Sequence, residues 1–211
     1  MASVLIVDDQ LVARQLFEML LRNSENYRVA DSLASAEGAV AWCRVNPVDL
    51  ILMDVVMLNG RNGLEAAKEI RKYRPGVRIV AVTSMPEESF LERAREAGID
   101  SFWYKEVQER PLLEVLDRTM AGEHVYPDTS PEIMLGNCLS IEITPKEMEV
   151  LRELTTGATD QEIAERLKVS AAAVRFHVKN LLSKTGFRSR TQLAVRARTR
   201  GLVIGGETYQ L

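Results

Sequence analysis

The sequence predicts two folds in succession: an α/β doubly wound five-stranded parallel sheet, then an all-α four-helix domain. Up to about residue 121, short apolar runs alternate with helical stretches five times, which implies a parallel sheet with helices on both faces. Beyond about residue 140 the apolar spacing is helical throughout. The charge divides at the same place. Residues 1–140 hold 15 Lys/Arg against 22 Asp/Glu, net −7, whereas residues 141–211 hold 12 against 8, net +4.

The first strand is Ser3-Val4-Leu5-Ile6-Val7, followed by a helix from about Leu11 to Arg22 with Leu16, Met19 and Leu20 on one face. Strand 27–33 leads to a helix around Ala36–Arg44. The run Val48 to Met53 is apolar enough to be a strand buried on both faces, and it ends abruptly on Asp54. A Gly-containing loop, Asn59–Gly63, opens a helix over Leu64–Arg74. Strand 77–83 precedes a helix around Pro86–Ala97, where Pro86 suits the first position and Glu87 and Glu88 suit the positive end. Strand 99–104 runs into Lys105, and a last helix covers about Pro111–Ala121. Five such units make a domain of flavodoxin-like size.

Open α/β sheets keep their ligand crevice at the carboxyl ends of the strands. Asp8 and Asp9 after the first strand, Asp54 after the third, Thr83 after the fourth and Lys105 after the fifth therefore meet at one sheet edge. This set reads as a phosphoryl-accepting metal site. Clustered carboxylates suit Mg²⁺, a hard cation that takes oxygen ligands. Lys105 offers a point charge to phosphoryl oxygens and Thr83 a hydroxyl donor. Asp54 is the nucleophile that forms an acyl phosphate. Singly, Asp8 and Asp9 could cap a helix and Lys105 could be a solvated surface residue; the joint arrangement carries the reading.

In these positions residues 1–121 resemble a response-regulator receiver domain, a CheY-like fold. The resemblance implies metal ligation by Asp8, Asp9, Asp54 and the backbone carbonyl of Val56, and a histidine kinase as phosphoryl donor. It also implies a switch in which Thr83 is drawn toward phosphorylated Asp54 and the aromatic Phe102 follows. The surface of the fourth helix, fifth strand and fifth helix then changes shape. Two departures stand out: Leu58 replaces the family's usual proline, and the loop 55–63 is one residue longer. Of Trp103 and Tyr104, one is expected to face outward and mark a dimer surface. Val56 and Met85 are apolar where attacking water would approach, so self-dephosphorylation is expected to be slow to moderate.

Residues 122–140 read as a linker, because Gly122, Pro127, Pro131 and polar turn formers break the periodicity. A short helix around Ser130–Leu135 is conceivable within it. His124 has no partner at ligand spacing, and Cys43 and Cys138 read as incidental thiols of a reducing cytoplasm.

The second domain, 141–211, opens with a helix start in Thr144-Pro145-Lys146-Glu147: cap, first-position proline, and glutamate three after the cap. Gly157 ends that helix. Gln161–Leu167, a short turn, then a Ser170-capped helix over Ala171–Thr185 form a helix-turn-helix pattern. A fourth helix covers about Thr191–Arg200. From Arg166 to Arg200 there are ten basic residues and no acid, which points to a polyanion. Ile143 to Glu147, Gln161 to Leu167, Val174 to Val178 and Ser189 to Gln192 resemble the NarL/FixJ-type (LuxR-type) DNA-binding domain. Val174, Val178 and Leu181 or Leu182 then face the core, and Arg175, Phe176 and Lys179 face the major groove. Lys184, Arg188 and Arg190 are expected to grip phosphates. Ala171-Ala172-Ala173 stands where the family often has polar residues, so the target sequence cannot be borrowed from relatives.

These readings combine into a bacterial, cytoplasmic two-component response regulator that is no enzyme beyond phosphorylating itself. Its expected partners are a cognate histidine kinase, double-stranded promoter DNA, a second copy on activation and, as a further candidate, RNA polymerase. No apolar run is long enough to span a membrane, and no signal peptide is expected. The alternative is a transcription regulator whose receiver is a passive dimerisation or ligand-sensing module. A phosphoester hydrolase would need a separate acid/base and a substrate cap, and the sequence offers neither.

Overall fold

The computed structural model describes residues 1–57, 62–85, 89–105 and 110–203. Two compact units divide between Ser130 and Pro131. The first contains β1 (Ala2–Val7), α1 (Leu11–Arg22), β2 (Tyr27–Leu33), α2 (Ala36–Val45), β3 (Leu50–Asp54), α3 (Gly63–Tyr73), β4 (Arg78–Thr83), α4 (Ser89–Glu96), β5 (Ser101–Tyr104) and α5 (Leu112–Met120). The strands form one parallel sheet in the order β2-β1-β3-β4-β5. That order reverses direction at β1, which opens a crevice between the carboxyl ends of β1 and β3.

Strand alternation divides the core. Val4, Ile6, Leu50, Leu52, Val80, Val82 and Trp103 face one way, against Phe17 and Leu21 of α1 and Leu112, Val115 and Leu116 of α5. The alternate residues of β3 and β4 are equally buried on the other face. The central strands are therefore apolar on both sides, as the unbroken Leu50–Met53 run predicts. The α1 face differs from expectation. Phe17 and Leu21 enter the core, while Leu16 and Met19 are exposed.

The second unit contains the hairpin β6 (Met134–Leu135) and β7 (Cys138–Leu139), a 3₁₀ turn (Ser140–Glu142), and helices α6 (Pro145–Leu154), α7 (Asp160–Leu167), α8 (Ala171–Thr185) and α9 (Arg190–Thr199). Its core joins Leu151, Ile163, Val174, Leu181 and Leu193 from all four helices with Leu135 and Cys138 from the hairpin. Thr144 and Glu147 form a reciprocal cap on α6, as their spacing predicts, and Thr159 and Glu162 do the same on α7.

The linker is where the structure departs furthest from the sequence reading. Residues 134–135 are a strand, and the short helix expected over 130–135 does not form. Gly136 explains the hairpin: its φ of +65° suits the tight turn, and a Cβ there would lie 2.0 Å from the Thr185 carbonyl oxygen. Upstream, Val125 is buried and docks on β5. Trp103 and Tyr104 are both buried, so neither is an exposed aromatic; Trp103 donates to the Arg110 carbonyl and Tyr104 bonds Ser130 Oγ. Leu58, residues 86–88 at the expected start of the fourth helix and the tail from 204 lie outside the described residues.

Candidate phosphoacceptor site and nucleic-acid interface

β1, β3 and β5 all deliver polar residues to the same sheet edge, because each apolar run stops there. Asp8 and Asp54 are buried and Asp9 is half-buried, and one carboxylate oxygen from each lies within 4.8 Å of the others. Lys105 Nζ sits 2.6 Å from Asp8 and 3.4 Å from Asp54. Its backbone amide donates to the Thr83 carbonyl at 2.9 Å, which ties the end of β5 to the end of β4. Thr83 itself is fully buried.

Burial pushes the Asp54 carboxyl up to about 7; Lys105 opposes this, Asp8 adds to it, and Lys105 and the Val56 amide hydrogen-bond the charged form. Positive charge added beside the Asp54 carboxyl favours its ionised form. Three hard carboxylates facing one point fit a divalent cation such as Mg²⁺. Val56 lies two residues beyond Asp54 and is half-buried.

Two positioning residues escaped the sequence reading. Arg14 Nη1 donates to the Asp8 carbonyl at 2.6 Å and pins the turn that presents both acids. Gly63, the first residue of α3, approaches Asp54 so closely that a Cβ would lie 1.9 Å from the Asp54 carbonyl oxygen. Asn62 caps this helix by accepting from the Leu64 amide at 2.7 Å. Only the Gly in the loop signalled this, and nothing in the sequence told which backbone it would meet. Phe102 is buried, with its ring 5.1 Å from Tyr104 and 6.2 Å from Tyr126.

In the second unit, Ser170 caps α8 by accepting from the Ala173 amide, and the left-handed Lys168 makes the turn from α7. Val174, Val178 and Leu181 are buried, which leaves Arg175, Phe176 and Lys179 on the exposed face. Phe176 is 60% exposed, unusual for a phenyl ring in a monomer surface and suited to a ligand face. The flanking cations divide. Arg188 is exposed. Lys184 is held at 2.6 Å by the buried Glu147 and at 2.8 Å by the Glu142 carbonyl. Burial would raise the Glu147 pKa, but Lys184 and the Thr144 cap outweigh it and hold it low. Arg190 bonds Asp160 at 2.7 Å and the Ala158 carbonyl at 2.8 Å. Lys184 and Arg190 thus each hold partners within the domain while their side chains stay partly exposed, at 33% and 39%.

Comparison with known proteins agrees with both halves. The family described as "Response regulator receiver domain" matches residues 4–117, and "Bacterial regulatory proteins, luxR family" matches residues 142–197. The chain is 31% identical over 209 residues to the response regulator protein VraR of Staphylococcus epidermidis, covering 95% of this chain and 98% of VraR. The structure of two RcsB dimers bound to two parallel DNAs is similar at TM-score 0.62 and 20% identity, over 94% of this chain and 98% of that one. A LuxR-family two-component response regulator from Aurantimonas sp. SI85-9A1 is similar at TM-score 0.56 and 26% identity, over 62% and 90%. No helix among the described residues is long and apolar enough to cross a membrane. The chain belongs to the two-component response regulators of the LuxR family, transcription factors that join a receiver domain to a helix-turn-helix DNA-binding domain.

Proposed function

We propose that Asp54 accepts a phosphoryl group from a histidine kinase, with Mg²⁺ present, and that this event controls dimerisation and promoter binding in the cytoplasm. The observation that carries the reading is the convergence of buried Asp54 with Asp8, Asp9, Thr83 and Lys105 on one sheet edge. An Asp54 carboxylate oxygen attacks phosphorus, the bond to the kinase imidazole nitrogen breaks, and its electron pair leaves with that nitrogen. Asp54 becomes an acyl phosphate. Lys105 Nζ, already between Asp8 and Asp54, faces the charge that builds on the phosphoryl oxygens. Bound Mg²⁺, held by Asp8, Asp9, Asp54 and the Val56 carbonyl, would supply further neutralisation. Thr83 donates its hydroxyl to the phosphoryl group, and Phe102 follows it inward. Val56 and Met85 are apolar at the positions where attacking water approaches in the family, so the acyl phosphate outlives seconds.

On DNA, Arg175, Phe176 and Lys179 enter the major groove, Arg175 forking onto guanine or binding phosphate and Phe176 touching a thymine methyl. Arg188 contacts phosphate. Lys184 and Arg190 set the helix that presents these groups. RcsB, similar in fold, was solved as dimers on DNA, which supports paired half-sites here; RNA polymerase is the further partner such a regulator addresses. The test measures oligomeric state and binding to a DNA library with and without beryllofluoride and Mg²⁺, with Asp54→Asn alongside. Dimers and tighter selective binding that require Asp54 are the expected result. Selective binding indifferent to the mimic and to Asp54 would make the receiver a passive scaffold.

A further inference from the structure

The segment joining the two units does not leave the sheet at the end of α5. Gly122, at φ +94°, turns it back, and it runs along the outer edge of β5. The Phe102 amide donates to the Val125 carbonyl at 2.8 Å, and the Val125 amide donates to Ser101 Oγ at 3.0 Å. His124 Nδ1 lies 2.9 Å from the Asp100 carbonyl. Tyr126 donates to the Ile99 carbonyl at 2.9 Å, and the Arg95 guanidinium of α4 sits 4.4 Å over its ring. The Tyr126 ring also stacks on Phe102, with centroids 6.2 Å apart and planes 30° apart. Farther along, Ser130 bonds the Tyr104 hydroxyl. The edge of β5, which would otherwise present unpaired backbone groups, is thus covered by the chain's own linker.

The contact partner decides the consequence. Phe102 supplies both a backbone donor and a ring to the linker, and it is the residue assigned above to move when Asp54 is phosphorylated. We propose that residues 124–130 form a strap docked on β5, held in place by the resting position of Phe102 and released when Phe102 turns inward. The inference rests on the phosphorylation reading and deepens it, by naming the element the switch acts on. Release frees seven residues, whose fully extended length is at most about 25 Å. It also bares the β5 edge to a second copy of the chain.

Amide hydrogen exchange on the full chain tests this directly, because the Phe102 amide donates to the linker and the Val125 amide donates from it to β5. In the wild type, beryllofluoride with Mg²⁺ should speed exchange at both by at least about tenfold, while core amides such as Val80 stay protected. Asp54→Asn should abolish the response. Tyr126→Ala, and the milder Arg95→Ala at an exposed side chain, should speed the same amides without the mimic and raise basal DNA binding. If the mimic produces dimers and tighter DNA binding while Phe102 and Val125 stay protected, the strap is overturned and phosphorylation control stands. Unchanged exchange and DNA binding in both variants overturn it equally. If the mimic moves neither exchange nor DNA binding, phosphorylation control fails and the strap falls with it.

Discussion

Lys105 acts through the charge that the end of β5 holds among the strand-end acids. Its ammonium bridges two carboxylates at 2.6 and 3.4 Å, so Lys105→Ala should slow phosphoryl acceptance from acetyl phosphate by about 100-fold, read as phosphoprotein on an affinity gel. Removing Mg²⁺ with EDTA should reduce the same signal to background. Asp100, at the opposite end of the sheet, does structural work. It bonds Arg71 at 2.6 Å, Arg78 at 2.9 Å and the Ile79 amide at 2.8 Å. Burial would raise its pKa, but these partners outweigh it and hold it below the usual carboxylate range. A depressed folded pKa means the stabilisation is complete above the unfolded value of about 4 and is lost as pH falls through the folded value. Asp100→Asn should cost about 3 kcal/mol at pH 7, since Arg78 keeps some contact with water, and should flatten the acid limb of a urea-unfolding series. Asp8, Asp9, Asp54, Thr83 and Lys105 were legible as a set because each ends an apolar run. Arg14 was not, since an arginine in a half-exposed helix reads as ordinary until its acceptor carbonyl is known.

At the scale of elements, helix ends were legible and the linker was not. The cap at Ser170 is a local event, an oxygen accepting from an amide three residues on. Ser170→Ala should therefore destabilise the second unit by about 1 kcal/mol, seen as a lower midpoint in its thermal unfolding. The approach of α3 to β3 is not local. Gly63→Ala would force a Cβ into the Asp54 carbonyl, displace the acceptor and reduce phosphorylation by about 100-fold while the far-UV spectrum holds. The hairpin at 134–139 escaped detection because each strand has two residues and no alternation to read. Its stability comes from Leu135 and Cys138 entering the helical core and from the close approach of Gly136 to Thr185.

Across the whole molecule, the acidic and basic halves are separate compact units with different tasks. Each phosphate neutralised on DNA contributes about −0.9 to the slope of log affinity against log salt. Arg188→Ala, at the exposed cation assigned to a phosphate, should therefore reduce that slope by about one. Arg190→Ala, whose guanidinium is committed to Asp160 and Ala158, should lower the stability of the second unit and leave the slope nearly unchanged. Fluorescence anisotropy over a salt series separates the two outcomes.

By itself the sequence determined the two folds, the strand-end acids, the capped helices and the outward face of α8. All of these are periodic or local, so spacing along the chain encodes them. Folding in three dimensions decided that Trp103 and Tyr104 are buried, that Lys184 pairs with Glu147 and Arg190 with Asp160, and that residues 124–126 lie on β5 against Phe102. Those outcomes depend on contacts between residues distant in sequence, and no period or cap announces them.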